Sequence, residues 1–339
     1  MSPRSSATIR DVAALAGVSH QTVSRVINNN ERVAPKTRAR VEAAIAELGY
    51  QPNAIARFMT EGCTYTLACI SPNLTDYTFA SIMEGAEMEA RRQGYFVISA
   101  SAPDAQTFAQ LVHQLVDSQR TEGLLAINPY IDERYTHLPE MVPTVLIGAM
   151  ARQAKYGAVA LDEEFAGRQA TQHLVASGHK RIALITGPLV EDCSSERRAG
   201  YLSALQAGGI TPDPRLVFEG DWSATSGDAA IHHWLDTGTQ FSALFAQNDR
   251  MAVGAIRALR DAGLHVPEDV SVVGFDDMPL ASYFDPPLTT IRQDIFSIGR
   301  EAARQLIWQI EHPAEPTPKL KIATQLVIRH STSLYKEVP

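Results

Sequence analysis

The chain has 339 residues, 45% hydrophobic and 20% charged, which allows large buried cores and requires more than one domain. No run reaches the ~18 apolar residues of a membrane helix, and Met1 to Thr8 lacks the apolar stretch of a secretion signal, so a cytoplasmic protein with no membrane partner is expected. The net charge of −8 is unevenly divided. Residues 1–60 carry eight Lys/Arg against four Asp/Glu, and the remainder 22 against 34, so a polyanion would be drawn to the N-terminal end and repelled elsewhere.

Thr8 to Asn30 reads as two short helices joined by a tight turn. Ile9, Val12, Ala13 and Ala16 fall at helical spacing behind Thr8 as N-cap. Gly17 ends the first helix, because glycine takes a positive φ at little cost. Val18 points inward, and Ser19 caps a second helix whose inner face is Val23, Val26 and Ile27. His20, Gln21, Thr22 and Arg25 are left facing outward, where a helix–turn–helix meets base edges in a major groove. A third helix is expected from Pro35 to Leu48, with Val41, Ala44, Ile45 and Leu48 as its apolar stripe and Gly49 closing it. Asn53 to Thr60 has a capping residue and good helix formers but only about two turns. Alone in water it would be mostly unfolded, so it is either a plain linker or a segment that folds on contact.

From Tyr65 the texture changes to short apolar runs alternating with amphipathic helices. Strands are predicted at Thr66–Ser71, Tyr95–Ala100, Gly123–Asn128, Thr144–Gly148, Arg181–Thr186, Ser242–Gln247 and Val270–Phe275, with weaker ones near Ala158 and Leu216. Helices are predicted at Phe79–Gly94, Thr107–Ser118, Phe165–Ser177, Arg197–Ala207, Ala224–Leu235, Asp249–Ala262 and Ile298–Ile310. Such alternation argues for doubly wound α/β sheets, and the two series for two similar lobes.

The chain carries no Gly-x-Ser-x-Gly elbow, no Gly-x-x-x-x-Gly-Lys-Ser/Thr loop and no His-Glu-x-x-His, so catalysis is not expected. Cys63, Cys69 and Cys193 have no metal or redox spacing, which suits a reducing compartment and predicts no metal or cofactor. His232-His233 reads as an exposed helical pair. Polar and aromatic residues do gather just past strand ends, where open α/β sheets bind ligands: Asn73, Asp76, Arg197, Trp222, Asn248-Asp249 and Asp276. Arg and Asp can hold vicinal hydroxyls in paired hydrogen bonds, and Trp can cover the C–H face of a pyranose. The plainer alternative is that Asp249 and Asp276-Asp277 cap helices or turns and that Trp222 fills core.

Ordered motifs run through nearly the whole chain. They are Gly17-Val18-Ser19-His20-Gln21-Thr22-Val23-Ser24-Arg25-Val26-Ile27-Asn28, then Tyr50-Gln51-Pro52-Asn53-Ala54-Ile55-Ala56-Arg57, then Gly178-His179, Gly187-Pro188, Asn248-Asp249, Ser271-Val272-Val273-Gly274-Phe275-Asp276-Asp277 and Pro287-Leu288-Thr289-Thr290-Ile291. With them the chain resembles the lactose/galactose repressor family of transcription regulators. Gln21-Thr22, Gly220-Asp221-Trp222-Ser223-Ala224 and Arg292-Gln293-Asp294 stand nearest its lactose-responsive branch.

The resemblance implies an all-α helix–turn–helix headpiece (7–52), a hinge helix (53–62) and a core of two Rossmann-like lobes of the periplasmic-binding-protein type I fold. The lobes would be 63–162 plus 292–322, and 163–291 plus 323–333. By resemblance, His20, Gln21 and Arg25 read bases, while Thr8, Ser19, Thr22, Asn28 and Thr37 hold phosphates, which position without specifying. Asn53, Ala56, Arg57 and Met59 belong to a hinge that folds on operator DNA and enters its minor groove, Met59 standing at the family's wedging leucine. Ala34 replaces a serine usual in the family, which predicts a missing cap or phosphate contact. Asp76, Arg197, Trp222, Asn248, Asp276 and Gln293 map onto effector-contacting positions, with a sugar, a galactoside among the candidates, as effector. The implied partners are a pseudo-palindromic operator, the sugar and a second copy of the chain, since no leucine heptads follow the core to build a larger assembly. Two rivals share these features in part: a co-repressor type that needs a purine to bind DNA, and a sugar-transport protein with the same core.

Overall fold

The computed structural model describes residues 7–27, 32–50 and 62–336. The chain forms two compact units, residues 1–64 and 65–339. In the first, helices α1 (Ile9–Ala16), α2 (His20–Ile27) and α3 (Pro35–Leu48) enclose Val12, Val23 and Val41, all three fully buried. Thr8 and Asp11 close a capping box: the Asp11 N–H reaches the Thr8 hydroxyl oxygen at 3.4 Å, and the Asp11 carboxylate takes the Thr8 backbone N–H at 2.7 Å. Gly17 turns the chain at φ +63°. Ser19 Oγ then accepts the Thr22 N–H at 3.2 Å, which starts α2. Ala34 occupies the N-cap of α3 and makes no side-chain cap bond. Leu48 departs from the expected stripe. It lies in the last turn of α3 and is 36% exposed, so the contribution of α3 to the apolar core ends with Ala44 and Ile45.

The second unit contains two six-stranded sheets. In the first sheet, β1 (Thr66–Ser71), β2 (Phe96–Ser101), β3 (Gly123–Ile127), β4 (Thr144–Ile147), β5 (Gly157–Leu161) and β11 (Lys319–Ile322) run parallel in the order 11-5-4-3-1-2. In the second, β6 (Ile182–Thr186), β7 (Val217–Glu219), β8 (Ala243–Ala246), β9 (Ser271–Asp276), β10 (Thr289–Arg292) and β12 (Gln325–Val327) lie in the order 12-10-9-8-6-7, and only β12 is antiparallel to its neighbour. Strands β3, β4, β5, β6 and β8 are buried along their whole length, as parallel strands covered on both faces must be.

Helices α4 (Tyr77–Arg92), α5 (Ala105–Val112) and α10 (Ile295–Glu311) flank the first sheet. Helices α6 (Glu163–Ala176), α7 (Asp192–Ala207), α8 (Ala224–Asp236) and α9 (Asp249–Asp261) flank the second. Two helices differ from expectation. The one predicted over Thr107–Ser118 is regular only to Val112 and continues as a wider π turn, His113–Asp117. Helix α7 starts at Asp192, five residues before Arg197. Its first turn is polar and shows no apolar spacing, but Asp192 there faces the positive end of the helix dipole.

In both sheets the strand order reverses beside the first strand of the series, between β1 and β3 and between β6 and β8. Those reversals leave crevices at the carboxyl ends of the strands. The chain passes from one sheet's layers to the other's three times, after β5, after β10 and after β11. Among the described residues no helix is long and apolar enough to cross a membrane.

Candidate DNA-reading surface and effector cavity

The first turns of α2 carry His20, Gln21 and Arg25, all exposed. Their outward direction follows from the burial of Val23 and Val26 on the opposite face of the same short helix. Thr8 and Ser19 are exposed at the ends of α1 and α2, and Thr22 and Thr37 are half-buried. Several of these hydroxyls already have structural duties: Thr8 Oγ1 donates to Asp11 at 2.7 Å, and Ser19 Oγ lies 3.0 Å from Thr22 Oγ1. The bonds from Thr8, its backbone N–H first, hold the Asp11 carboxyl below its ordinary pKa. Asn28, Asn53, Ala56, Arg57 and Met59 lie outside the described residues.

In the second unit, a cavity of ≈ 290 Å³ opens where the two sheets' strand ends face each other. Asp76, Arg197, Trp222, Asn248, Asp276 and Gln293 all line it, and with them Asn73, Asn128, Glu163, Glu191, Asp221 and Arg250. Asp76 comes from the β1 end, Glu191 from the β6 end, Asn248 from the β8 end and Asp276 from β9 itself. The strand reversals therefore bring together residues spread over some two hundred positions of sequence.

Arg197 is the most constrained member. Its Nε and Nη2 donate to the two Glu163 oxygens at 2.7 and 3.2 Å, and Nη1 donates to the Gln247 carbonyl at 2.6 Å. The guanidinium lies 3.5 Å from the centre of the Phe275 ring. Burial alone would push the pKa of Arg197 down, but the Glu163 charge beside it more than reverses that.

Trp222 turns at φ +69°, and its Nε1–H donates to Glu191 Oε1 at 2.9 Å. Gly187 makes this placement possible, because a Cβ there would stand 2.1 Å from the indole. Asn128 and Asp276 also have positive φ, +47° and +111°, so three non-glycine residues with uncommon backbone angles converge on the cavity.

The carboxyl and amide groups have separate tasks. Asn248 caps α9 by accepting the Met251 N–H at 2.8 Å and donates to the Trp222 carbonyl at 3.0 Å. Asp249 is fully buried and accepts from Thr290 Oγ1 at 2.6 Å and from the Met278 N–H at 2.9 Å. Burial raises its pKa to about 7. Asp276 takes the Gln293 amide at 2.5 Å, and burial followed by the neighbouring Asp249 pushes its carboxyl well up. Asp277 turns away to Arg292 at 2.6 Å and Arg329 at 2.5 Å.

Two ion pairs join the lobes beside the cavity: Asp76–Arg250 at 3.2 Å and Arg152–Asp192 at 2.8 Å, the latter arginine stacked 3.9 Å from the Tyr130 centroid. Sequence reasoning did not single out Glu163, Glu191, Asp221, Asn128 or Arg250. Glu191 was open to discovery, since it follows Gly187-Pro188 past a strand end at a reversal point. Glu163 lies two residues past the end of β5 and lines the cavity beside its partner Arg197.

A helix–turn–helix followed in the same chain by a two-lobed ligand-binding core defines a ligand-controlled DNA-binding regulator. The model for bacterial regulatory proteins of the lacI family matches residues 8–53, and that for a periplasmic binding protein-like domain matches residues 171–332. The HTH-type transcriptional regulator CelR of Thermobifida fusca is 38% identical, over 98% of this chain and all of that protein. The HTH-type transcriptional repressor CytR of Escherichia coli is 34% identical, over 96% of each chain. Among solved structures, a lac repressor dimer bound to operator and the anti-inducer ONPF matches with a TM-score of 0.87 at 34% identity, covering 96% of this chain and 99% of that one. A CelR–cellobiose complex matches with a TM-score of 0.75 at 36% identity and the same coverage. The chain belongs to the lacI family of bacterial regulatory proteins.

Proposed function

We propose that this chain is a cytoplasmic, sequence-specific repressor of sugar-utilisation genes, released from its operator by a small sugar, and that it carries no catalytic activity. The observation that carries the reading is the convergence of Asp76, Arg197, Trp222, Asn248, Asp276 and Gln293, from both lobes, on one cavity. His20, Gln21 and Arg25 read bases. Thr8, Ser19, Thr22, Asn28 and Thr37 anchor phosphates. The hinge residues Asn53, Ala56, Arg57 and Met59 engage the minor groove. Two copies bind a pseudo-palindromic operator. Sugar drawing the lobes together opposes hinge folding, and by linkage DNA weakens sugar binding by the same factor, commonly ~1–3 kcal/mol. The solved relative with cellobiose makes a β-linked glucose disaccharide as strong a candidate as a galactoside.

The test is calorimetric titration of the full chain with cellobiose, galactosides and purines, followed by gel shifts on operator DNA selected from random sequence. A sugar that binds and abolishes the shift is the expected result. A purine that binds and creates the shift would replace induction with co-repression. Failure of the chain to retain any DNA from the random pool would sink the repressor reading.

A further inference from the structure

We propose that the cavity selects an uncharged, hydroxyl-rich saccharide and excludes sugar phosphates and sugar acids, with Glu191 and Asp221 as the residues that set this choice. The inference rests on the effector reading above and narrows its ligand class. Among the described residues the cavity is lined by the carboxyl groups of Asp76, Glu163, Glu191, Asp221 and Asp276 against two guanidinium groups, Arg197 and Arg250. Both cations are already matched: Arg197 by both Glu163 oxygens, and Arg250 by Asp76 at 3.2 Å. Recruiting either one for an anion would leave a carboxylate behind without its partner.

The other three carboxyl groups take hydrogen bonds but, among the described residues, form no ion pair. Glu191 accepts from the Trp222 indole at 2.9 Å, Asp221 from Ser223 Oγ at 2.5 Å, and Asp276 from Gln293 at 2.5 Å. The uncompensated charge is therefore negative. Burial, which raises the Glu191 and Asp276 carboxyls, can bring it only toward neutral and never to positive. Asp221 stays ionised, since its bonds from Ser223 hold its pKa low.

A phosphate or carboxylate entering this space would lose water and meet like charge, a juxtaposition that binding sites use for rejection. Neutral hydroxyls meet the reverse. Carboxylate oxygens accept their O–H groups, and Arg197 keeps an N–H on each terminal nitrogen for their lone pairs, with its charge cancelled by Glu163.

Calorimetry on the full chain, with glucose, galactose, cellobiose and lactose and with the uronic acid and uronamide of each binder, separates charge from size, because acid and amide are nearly isosteric. The expected result is a neutral sugar and its uronamide binding at least roughly tenfold tighter than the uronate. A uronate or 6-phosphate that matches or exceeds its neutral counterpart overturns this inference and leaves the sugar-regulator reading standing. Absence of binding across the whole panel, with operator binding intact, overturns both. In the double variant Glu191→Gln and Asp221→Asn, whose amide oxygens can still accept from Trp222 and Ser223, the discrimination should shrink at least roughly threefold. Unchanged discrimination would remove these two residues from the assignment.

Discussion

The headpiece and the candidate effector cavity place their candidate functional side chains by opposite means. In the headpiece, His20, Gln21 and Arg25 project from one short helix whose other face, Val23 and Val26, is fixed by the core. These three side chains and the core residues alternate along two turns, and only the candidate phosphate-holding hydroxyls, Thr8 and Ser19, also cap helices. In the cavity nearly every functional group also holds up another: Arg197 steadies Glu163, Glu191 steadies Trp222, Asn248 caps α9, and Asp276 is tied to Gln293. The lesson is that DNA preference can change one side chain at a time, whereas ligand preference is bound up with stability.

The sharpest way to break this contrast is Arg197→Met. It leaves Glu163 buried without its cation, and a loss of about 3 kcal/mol of stability is expected along with effector binding. Urea denaturation of the full chain measures it, and a loss under about 1 kcal/mol would show that the cavity is less interlocked than its geometry indicates. Gly187→Ala comes next. The added Cβ must displace the Trp222 ring, costing about 1–3 kcal/mol and weakening sugar affinity while operator affinity in the absence of sugar is retained. Gln21→Ala probes the other side of the comparison. It should shift operator preference by about 1–3 kcal/mol at one base position, measured by gel shifts on operator variants, with sugar affinity unchanged when DNA is absent. The smallest effect belongs to Ala34→Ser, which supplies the N-cap that α3 lacks and should stabilise the headpiece by about 1 kcal/mol in a thermal melt.

The same contrast governs what could be read from sequence. The headpiece was legible almost to the residue, because capping Thr8 and Ser19, the turn at Gly17 and the spacing of Val12, Val23 and Val41 are local signals. Leu48 was misjudged because apolar spacing extends a stripe past the point where its partners end. The buried strands β1, β3, β4, β6 and β8 announced themselves as unbroken apolar runs. Short late strands did not: Lys319–Ile322, polar at alternate positions, and Gln325–Val327, only three residues long, are partly exposed and defined only by distant neighbours. Glu163 escaped for a related reason, since its proximity to Arg197 exists only after the sheets form.

The chain's three passages between the lobes bear on how such regulators diversify. Because each lobe is completed by a segment from the far end of the chain, β11 in one and β12 in the other, a single recombination point cannot exchange one lobe intact. The headpiece, by contrast, is one continuous stretch ahead of Tyr65. A crossover there would move the address on the DNA from one regulator to another without redrawing the cavity. Operator and inducer are thus inheritable as separate cassettes, while the two halves of the cavity must evolve as one.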